Sequence, residues 1–418
     1  MSSRRSGRVR DRKGDDDHLG RKNGEVSSSK APKKEGGKSA FVIRALASFA
    51  MSAFCIALIR AGHTFVIVTG ILVQIECFRE MVNVRYKEGG AAMPLFRTLQ
   101  WSWFFVSLMA THGQSMDDWF NEREELSSLA KYTKYIALIS FIAYCVVMMG
   151  TVMTFKKHLL KLQFQQIMWT LLTICLVVFQ FKSFTTNVLH GLFWWAYPAL
   201  LVIANDVSAY LVGKSCGGHF FKSTFWELSP NKTWEGFIGA GLFTMVVAFF
   251  LPLLLGNMSW FTCPAPPPTG MGFNPFPEPL FCEPAAIFVT VPYAVPAILR
   301  QLSYNMVPTR VSLMPMQLHG LLYGLFASIV APFGGFMASA IKRAYNIKDF
   351  ESVIPGHGGL MDRMDCQLVM IVFTFLHHLT FVAKDPSVAE KLFRRAASLD
   401  LEAQQILLAK LQVLVGAS

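Results

Sequence analysis

Long uncharged stretches alternate with short polar segments along most of the chain. An apolar helix needs about 20 residues to cross a lipid bilayer, and several of these stretches reach or approach that length. The clearest lie at 98–116, 135–155, 162–181, 183–205, 236–255, 366–383 and within 311–341. Two shorter stretches meet at Arg60, whose long side chain can reach the membrane surface, so we expect a hairpin of two spans there. The pattern predicts an all-α fold, a polytopic transmembrane helix bundle of about nine spans.

The composition agrees with this fold class. Hydrophobic residues make up 53% of the chain and charged residues 16%, whereas soluble domains are about 45–50% apolar and about 25% charged. This excludes a disordered protein and disfavours a soluble enzyme. With this hydropathy, the net charge of +12 favours membrane lipids as partners and no nucleic acid.

The two ends of the chain differ from the rest. Residues 1–38 hold twelve Lys/Arg and six Asp/Glu with almost nothing apolar, so we predict a disordered basic cytosolic tail. In residues 386–418, apolar positions recur near helical spacing, which indicates an amphipathic C-terminal helix on the membrane or on the bundle. Between them, residues 39–385 form the predicted multi-span membrane domain.

The distribution of Lys and Arg predicts the orientation. With the N-terminal tail in the cytosol, 27 Lys/Arg fall on the cytosolic side and seven on the opposite side, as the positive-inside rule expects. The five Lys/Arg from Lys384 to the C-terminus do not fit, because nine spans would place that tail in the lumen; either one span is miscounted or the tail is an exception. Cys263 and Cys282 flank a Pro-rich loop on the lumenal side and could form a disulfide there.

Polar chemistry concentrates in two loops that this topology places in the cytosol. The richer one runs over 339–365 and contains three cations, Lys342, Arg343 and Lys348, which suits binding of phosphates. The segment 355–359, Pro-Gly-His-Gly-Gly, is a turn whose glycines let backbone N–H groups approach an anion. We therefore expect a phosphate site in this loop.

Two acidic residues follow that turn. Asp362 and Asp365 are three positions apart, so both carboxylates lie on one face if a helix begins after Gly359. Paired carboxylates near phosphates are ligands for a hard divalent cation, Mg²⁺ in particular. Each residue alone is more often part of a basic juxtamembrane loop or a helix cap, but the constellation within 27 residues indicates function.

The other loop contains Asn205-Asp206, Lys214 and the segment 229–236. Ser229-Pro230 is typical of the first residues of a helix, and a helix N-terminus attracts anions. We expect Lys232 to hold a phosphate there. Asp206 is equally well explained as an interfacial helix cap.

The segment 339–365 resembles the signature of the phosphatidate cytidylyltransferases, or CDP-diacylglycerol synthases. That signature is Ser-x-apolar-Lys-Arg, four residues, Lys-Asp, and later His-Gly-Gly-x-x-Asp-Arg-x-Asp, and every fixed position matches. Residues 228–236 resemble the family's second characteristic stretch. The likeness extends from about Ala45 to the C-terminus and is closest to the eukaryotic branch.

The resemblance implies a reaction and a location. CTP and phosphatidate would give CDP-diacylglycerol and pyrophosphate, for synthesis of phosphatidylinositol, phosphatidylglycerol and cardiolipin. The protein would lie in the endoplasmic reticulum membrane with its active site facing the cytosol, and a homodimer is the assembly to test.

The resemblance also implies roles for individual residues. The catalytic set would be Asp362, His357, Lys348 and Asp349. The phosphate-binding set would be Lys232, Lys342, Arg343, Ser339, Arg363 and Lys214. Mg²⁺ would be held by Asp362, together with Asp365 and Asp206. His357 either polarises a phosphate, acts as a base or is a structural turn residue.

The chain departs from the family at one place. Bacterial members carry acidic residues shortly before the signature Ser, and one of them helps hold the metal pair, whereas this chain has Gly-Gly-Phe-Met-Ala at 334–338. Either the site holds metal differently here, or Asp206, Asp349 or Asp365 substitutes for the missing carboxylate.

Two other functions stay open at this point. A CTP-dependent polyprenol kinase would share the membrane fold, the phosphates and Mg²⁺, but it would phosphorylate a lipid alcohol and release CDP. A transporter would carry polar or ionisable residues within its spans, and the predicted spans are nearly free of them.

Overall fold

The computed structural model describes the chain in segments. These are residues 37–121, 135–219, 221, 225–226, 232–265, 281–302, 304, 306, 308–354, 358–383, 396 and 401–416. The predicted N-terminal tail (1–38) lies almost entirely outside the described residues, as do His357, Ser229 and Pro230 and most of 384–400.

The described chain is almost wholly helical, as the hydrophobic pattern predicts. The helices are α1 Gly37–Ala61, α2 His63–Glu88, α3 Phe96–Asn121, α4 Ile136–Met153, α5 Leu160–Thr173, α6 Gln180–Leu189, α7 Phe193–Cys216, α8 Trp234–Leu255, α9 Ser259–Thr262, α10 Ala297–Leu302, α11 Pro315–Ile329, α12 Pro332–Ala344, α13 Met361–His377 and α14 Leu401–Gly416. Two short strands, β1 Val291–Ala294 and β2 Arg310–Leu313, pair antiparallel.

Six helical segments of the described chain are long and apolar enough to cross a membrane. They are Ile136–Met153, Leu160–Leu189, Phe193–Cys216, Trp234–Leu255, Pro315–Ala344 and Met361–Val382. The prediction of a helical membrane protein is confirmed. The count of about nine spans stays a prediction, because α1 contributes only the shorter apolar segment Leu46–Ala61 and α2 and α3 carry more polar residues.

Two predicted boundaries are wrong. The chain does not break at Lys182: helix continues from Leu160 to Leu189 through one π-helical stretch. A lone lysine can place its ammonium at the membrane surface without ending a helix. The break comes at Gly191, whose φ of +133° suits glycine, and a Cβ there would lie 2.9 Å from the Phe261 carbonyl oxygen.

The second wrong boundary concerns the first polar loop. Helix α7 does not end near Asn205 but continues to Cys216. Asp206 therefore projects from a helix rather than from a loop, and the connection to α8 begins about three turns later.

The bundle has two packed cores that meet at α13. One contains Phe78, Phe104 and Leu368, and the other contains Tyr197 and Met370. Because Leu368 and Met370 both belong to α13, this helix is held from two sides. Its first turn therefore offers a fixed platform for polar side chains.

Small residues bring α7, α8 and α11 close together. A Cβ at Gly236 would lie 2.9 Å from the Ala209 carbonyl oxygen, and one at Gly324 would lie 2.9 Å from the Ala248 Cβ. Close backbone approach at small residues is the usual basis of helix packing in membranes.

The polar loops and the disulfide lie at opposite ends of the bundle. The predicted bond between Cys263 and Cys282 is present, and the backbone N–H of Ala265 donates to the Leu189 carbonyl at the end of α6. Helix α7 runs from this end to the other one, and so does the segment Pro315–Ala344 that α11 and α12 form together. The connections 217–233 and 345–360 therefore share the end away from the disulfide.

Candidate active site

Asp362 is the centre of a compact polar group in the first turn of α13. Its Oδ1 lies 2.5 Å from the Lys342 Nζ, and its Oδ2 accepts hydrogen bonds from the backbone N–H groups of Phe350, at 3.2 Å, and Gly359, at 3.1 Å. Only 4% of the Asp362 side chain and 15% of the Lys342 side chain are exposed. A carboxylate at a helix N-terminus is also stabilised by the helix dipole. The helix begins at Met361, so the predicted start after Gly359 is confirmed.

Gly358 lies between two carboxylates. Its φ is +84°, and a Cβ at this position would lie 3.2 Å from the Asp349 Oδ1 and 3.2 Å from the Asp362 Oδ2. Its carbonyl accepts a hydrogen bond of 3.0 Å from the Ile354 N–H. The turn thus brings Asp349 and Asp362 to the same small volume, and only glycine combines this backbone conformation with this spacing.

Glu80 supports the same turn from α2. Its two carboxylate oxygens accept hydrogen bonds from the backbone N–H groups of Leu360, at 2.7 Å, and Met361, at 2.8 Å, so Glu80 satisfies two donors at the start of α13. It is fully buried and lies beyond the apolar part of α2. Burial raises the pKa of Glu80, and the two backbone N–H groups oppose that rise. The sequence analysis did not identify Glu80.

A second attachment joins the loop to α2. Glu351 accepts a hydrogen bond of 2.7 Å from the Asn83 Nδ2 and forms an ion pair of 3.2 Å with Arg79. Together with Glu80, these contacts attach the described parts of the connection between α12 and α13 to α2, at Glu351 and at Leu360.

Lys232 and Asp206 form a second charged group beside the first. The Lys232 Nζ lies 4.4 Å from the centroid of the Phe336 ring. Asp206 is close enough to interact electrostatically with Lys232, Arg363 and Asp365. Lys232 precedes α8, which begins at Trp234 with Thr233 as its N-cap. The predicted helix start at Ser229-Pro230 is therefore placed too early.

Asp365 connects the two groups. It interacts electrostatically with both Lys342 and Asp206, and its Oδ1 accepts a hydrogen bond of 2.7 Å from the Cys366 N–H. A Cβ at Gly334 would clash with the Asp365 carbonyl oxygen, and one at Gly335 would lie 3.5 Å from the Asp365 Oδ2. The two glycines therefore let α12 pack directly against the turn of α13 that carries Asp365.

Several of the remaining predicted phosphate ligands contact residues close to them in sequence. The Ser339 hydroxyl donates to the Gly335 carbonyl at 2.8 Å, and the Lys214 Nζ lies 5.9 Å from the Tyr210 ring on its own helix. Arg343 reaches the Ile347 carbonyl at 3.5 Å. Lys348 and Arg363 are exposed. Of the predicted phosphate ligands that the structure describes, Lys342 is the one that contacts Asp362 directly.

The carboxylates do not form a ready-made cage for a metal. Within the segments that the structure describes, no three His, Cys, Asp or Glu side chains are arranged to hold a metal ion together. Asp349 and Asp362 are the two carboxylates that lie on either side of Gly358.

The chain is similar in sequence to a family of known enzymes over most of its length. Residues 42–381 match the model of the Cytidylyltransferase family. Phosphatidate cytidylyltransferase 1 of Arabidopsis thaliana is 36% identical over 381 residues, which are 89% of this chain and 86% of that protein. Phosphatidate cytidylyltransferase of Saccharomyces cerevisiae is 36% identical over 367 residues, 86% of this chain and 77% of that protein. Phosphatidate cytidylyltransferase 1 of Homo sapiens is 34% identical over 350 residues, with coverages of 81% and 72%.

Proposed function

Because the chain belongs to the family of the phosphatidate cytidylyltransferases, we propose that it transfers the cytidylyl group of CTP to phosphatidate and releases pyrophosphate. A phosphate oxygen of the lipid attacks the α-phosphorus of CTP, a new P–O bond forms, and the bond to the β-phosphate breaks. The product would supply phospholipid synthesis.

The observation that carries this proposal is the group of charged side chains at Gly358. Asp349 and Asp362 lie on either side of this glycine, and Lys342 binds Asp362. Phosphoryl-type transfer needs alignment of the reactants and neutralisation of phosphate charge more than covalent help from the protein. Lys342 is a mostly buried cation held at a fixed position by Asp362. Its ammonium has three donors, so it can bind a phosphate oxygen while it keeps this ion pair.

The two carboxylates beside Gly358 fit a magnesium ion that enters with the nucleotide. Mg²⁺ in such sites commonly uses one or two protein carboxylates, retains waters and shares substrate phosphates, so a cage of three protein ligands is not required. The Asp362 Oδ2 already accepts two backbone N–H groups, but its Oδ1 has Lys342 as its one hydrogen-bond donor among the described residues and keeps acceptor capacity for a metal ion. Bound there, Mg²⁺ would neutralise charge on the triphosphate. Asp365 and Asp206 are the proposed carboxylates for a second position.

The second charged group would hold the rest of the triphosphate. Lys232 lies at the entrance to α8, where helix N–H groups favour anions, and Arg343, Lys348 and Arg363 would add positive charge at the border. For Lys214 a role in phosphate binding is supported only by its charge in the last turn of α7, and for Ser339 only by the family signature. The same holds for His357, as a base or a phosphate donor.

Product analysis tests the proposed reaction. The purified protein in micelles is given phosphatidate, Mg²⁺ and CTP labelled at its α-phosphorus. We expect the label in the lipid fraction and one pyrophosphate released for each labelled lipid. Label recovered as CDP, with phosphorylation of a polyprenol, would identify the kinase instead. If the protein does not convert CTP at all, the transporter is the remaining alternative.

We also propose that the protein lies in the endoplasmic reticulum membrane with its polar loops toward the cytosol. The supporting observation is that the loops and the disulfide lie at opposite ends of a bundle whose Lys and Arg favour the loop end. Single cysteines replacing the exposed residues Ser352 and Thr290, in a chain whose free cysteines are serine, test this in sealed microsomes. A membrane-impermeant maleimide should label Ser352→Cys and spare Thr290→Cys until detergent is added; the reverse pattern would mean that the bundle has the opposite orientation.

A homodimer stays a prediction. The mass of the purified protein in detergent would test it.

A further inference from the structure

A cavity of about 250 Å³ opens between α2 and α3, outside the Asp362 group. Its lining is Arg79, Val82 and Asn83 from α2 and Arg97 and Trp101 from α3. Two guanidinium groups and an amide thus face an apolar wall. None of these five residues belongs to the catalytic or phosphate-binding set predicted from the sequence.

The charge of this cavity suits an anion. The Arg97 guanidinium lies 4.3 Å from the centroid of the Tyr86 ring, and no carboxylate of the described residues forms an ion pair with it. Arg79 is 48% exposed and pairs with Glu76, at 2.6 Å, and with Glu351, at 3.2 Å. Arginine presents a planar fork of donors that matches phosphate oxygens. The Arg97 guanidinium is thus held in place by the Tyr86 ring. Arg79 contacts both of its carboxylate partners through the same nitrogen, so its other N–H groups can donate to a ligand.

The surroundings of the cavity suit a lipid. Trp101 belongs to the uncharged stretch 98–116, and Phe105, one turn further along α3, is 61% exposed with its ring 6.1 Å from that of Trp101. One end of this surface is therefore polar, with the two arginines, and the other end is apolar, with the rings of Trp101 and Phe105. At about 250 Å³ the cavity is smaller than pockets that enclose whole drug-sized ligands, roughly 300–1,000 Å³, so it suits a phosphate headgroup better than a nucleoside triphosphate.

The cavity also lies next to the proposed nucleotide site. Arg79 and Asn83 both bind Glu351, which is two residues from Asp349 on the same loop. Glu80, between them on α2, holds the first turn of α13. A ligand on Arg79 would therefore lie beside the loop that carries the carboxylates.

We propose that this cavity binds the phosphate group of phosphatidate, with Arg79 and Arg97 as its ligands and the acyl chains running along Trp101 and Phe105 into the bilayer. The proposal deepens the proposed function and rests on it for the identity of the lipid. It places CTP at Asp362 and the lipid phosphate at Arg79 and Arg97, beside Glu351 of the loop that carries Asp349, so that the two phosphates meet at this loop.

Steady-state kinetics in mixed micelles test the assignment. Arg97→Ala removes a charge-assisted contact, so the apparent KM for phosphatidate should rise about tenfold or more, while the KM for CTP changes less than about twofold. Lys87→Ala is the matched control, because it removes an exposed cation from the same end of α2 without lining the cavity; it should change neither constant. A rise in the KM for CTP alone would make the cavity a triphosphate site and overturn the proposal, and so would unchanged constants.

A binding measurement separates this proposal from the reaction itself. Native mass spectrometry compares retention of phosphatidate and phosphatidylcholine by the wild type and by Arg97→Ala, with and without excess inorganic phosphate. We expect the wild type to prefer phosphatidate even in excess phosphate and the variant to lose that preference. Equal preference in both proteins overturns the cavity assignment even if turnover is normal, whereas a preference that depends on Arg97 without turnover supports the cavity and contradicts the proposed function. If Arg97→Ala does not fold, Arg97→Lys, which keeps the charge but loses the fork, should show the same shift to a smaller extent.

Discussion

Glu80 accepts a hydrogen bond of 2.8 Å from the backbone N–H of Met361, although the two residues are 281 positions apart in sequence. Through this contact α2 sets the position of the first turn of α13, and with it the position of Asp362. The carboxylate therefore acts on the site without needing to touch a substrate.

Replacing Glu80 by alanine should destabilise the protein and lower its activity. The change removes the acceptor of two N–H groups, the buried one of Met361 and the partly buried one of Leu360, and one unsatisfied buried donor costs roughly 1–3 kcal/mol. Thermal unfolding in detergent measures the loss. Glu80→Gln keeps one carbonyl oxygen as an acceptor, so its unfolding temperature should lie between those of the wild type and Glu80→Ala. Wild-type unfolding and turnover in Glu80→Ala would refute this role.

Gly358→Ala should impair turnover beyond the effect of backbone strain. The left-handed conformation costs a residue with a Cβ about 1–2 kcal/mol, and here the new methyl group would also press between Asp349 and Asp362. A displacement of about 1 Å can lower a rate roughly 100-fold, and we expect a loss of that order in kcat.

Gly218→Ala is the matched control for that experiment. Gly218 has a similar φ of +80°, but nothing lies within 4 Å of a Cβ placed there. The control should show the strain without the loss of turnover. Equal rates for the two variants would mean that crowding of the carboxylates is unimportant.

Lys232→Ala should weaken the use of CTP more than it lowers stability. Its ammonium lies over the Phe336 ring at the start of α8 and close to Asp206, where a phosphate would meet both the cation and the helix N-terminus. Loss of a hydrogen bond to a charged group predicts a rise of about tenfold in the KM for CTP. The exposed Lys157 supplies the control, since Lys157→Ala should leave this constant unchanged. An unchanged KM and kcat in Lys232→Ala would remove Lys232 from the site.

The sequence predicted the parts of the site that are local. Lys342 and Asp362 are 20 residues apart, and a helix, a glycine turn and a second helix bring them together in a way that the spacing already suggests. The start of α13 could likewise be predicted from the Gly-Gly turn before it. In both cases short-range geometry decides the outcome.

The parts that depend on packing between distant helices could not be predicted. Nothing in the local pattern around Glu80 indicates that it meets the backbone of Met361, because that contact exists only after α2 packs beside α13. Lys182 suggested a break since a charge is costly in a membrane, but the long side chain allows the helix to continue. The loop that was predicted to begin at Asp206 begins only after Cys216. The last three turns of α7 carry polar residues, so the hydrophobic pattern ends before the helix does.

The central claim is that Asp362 organises the chemistry of cytidylyl transfer, and the turnover of Asp362→Asn tests it most directly. The variant keeps the shape of the side chain but loses the charge that holds Lys342 and would face the metal. Its rate of CDP-diacylglycerol formation is measured at saturating CTP, phosphatidate and Mg²⁺, after thermal unfolding has shown that the protein is folded. The account predicts a rate at least about 100-fold below that of the wild type. A folded variant that turns over at a rate near that of the wild type would contradict it.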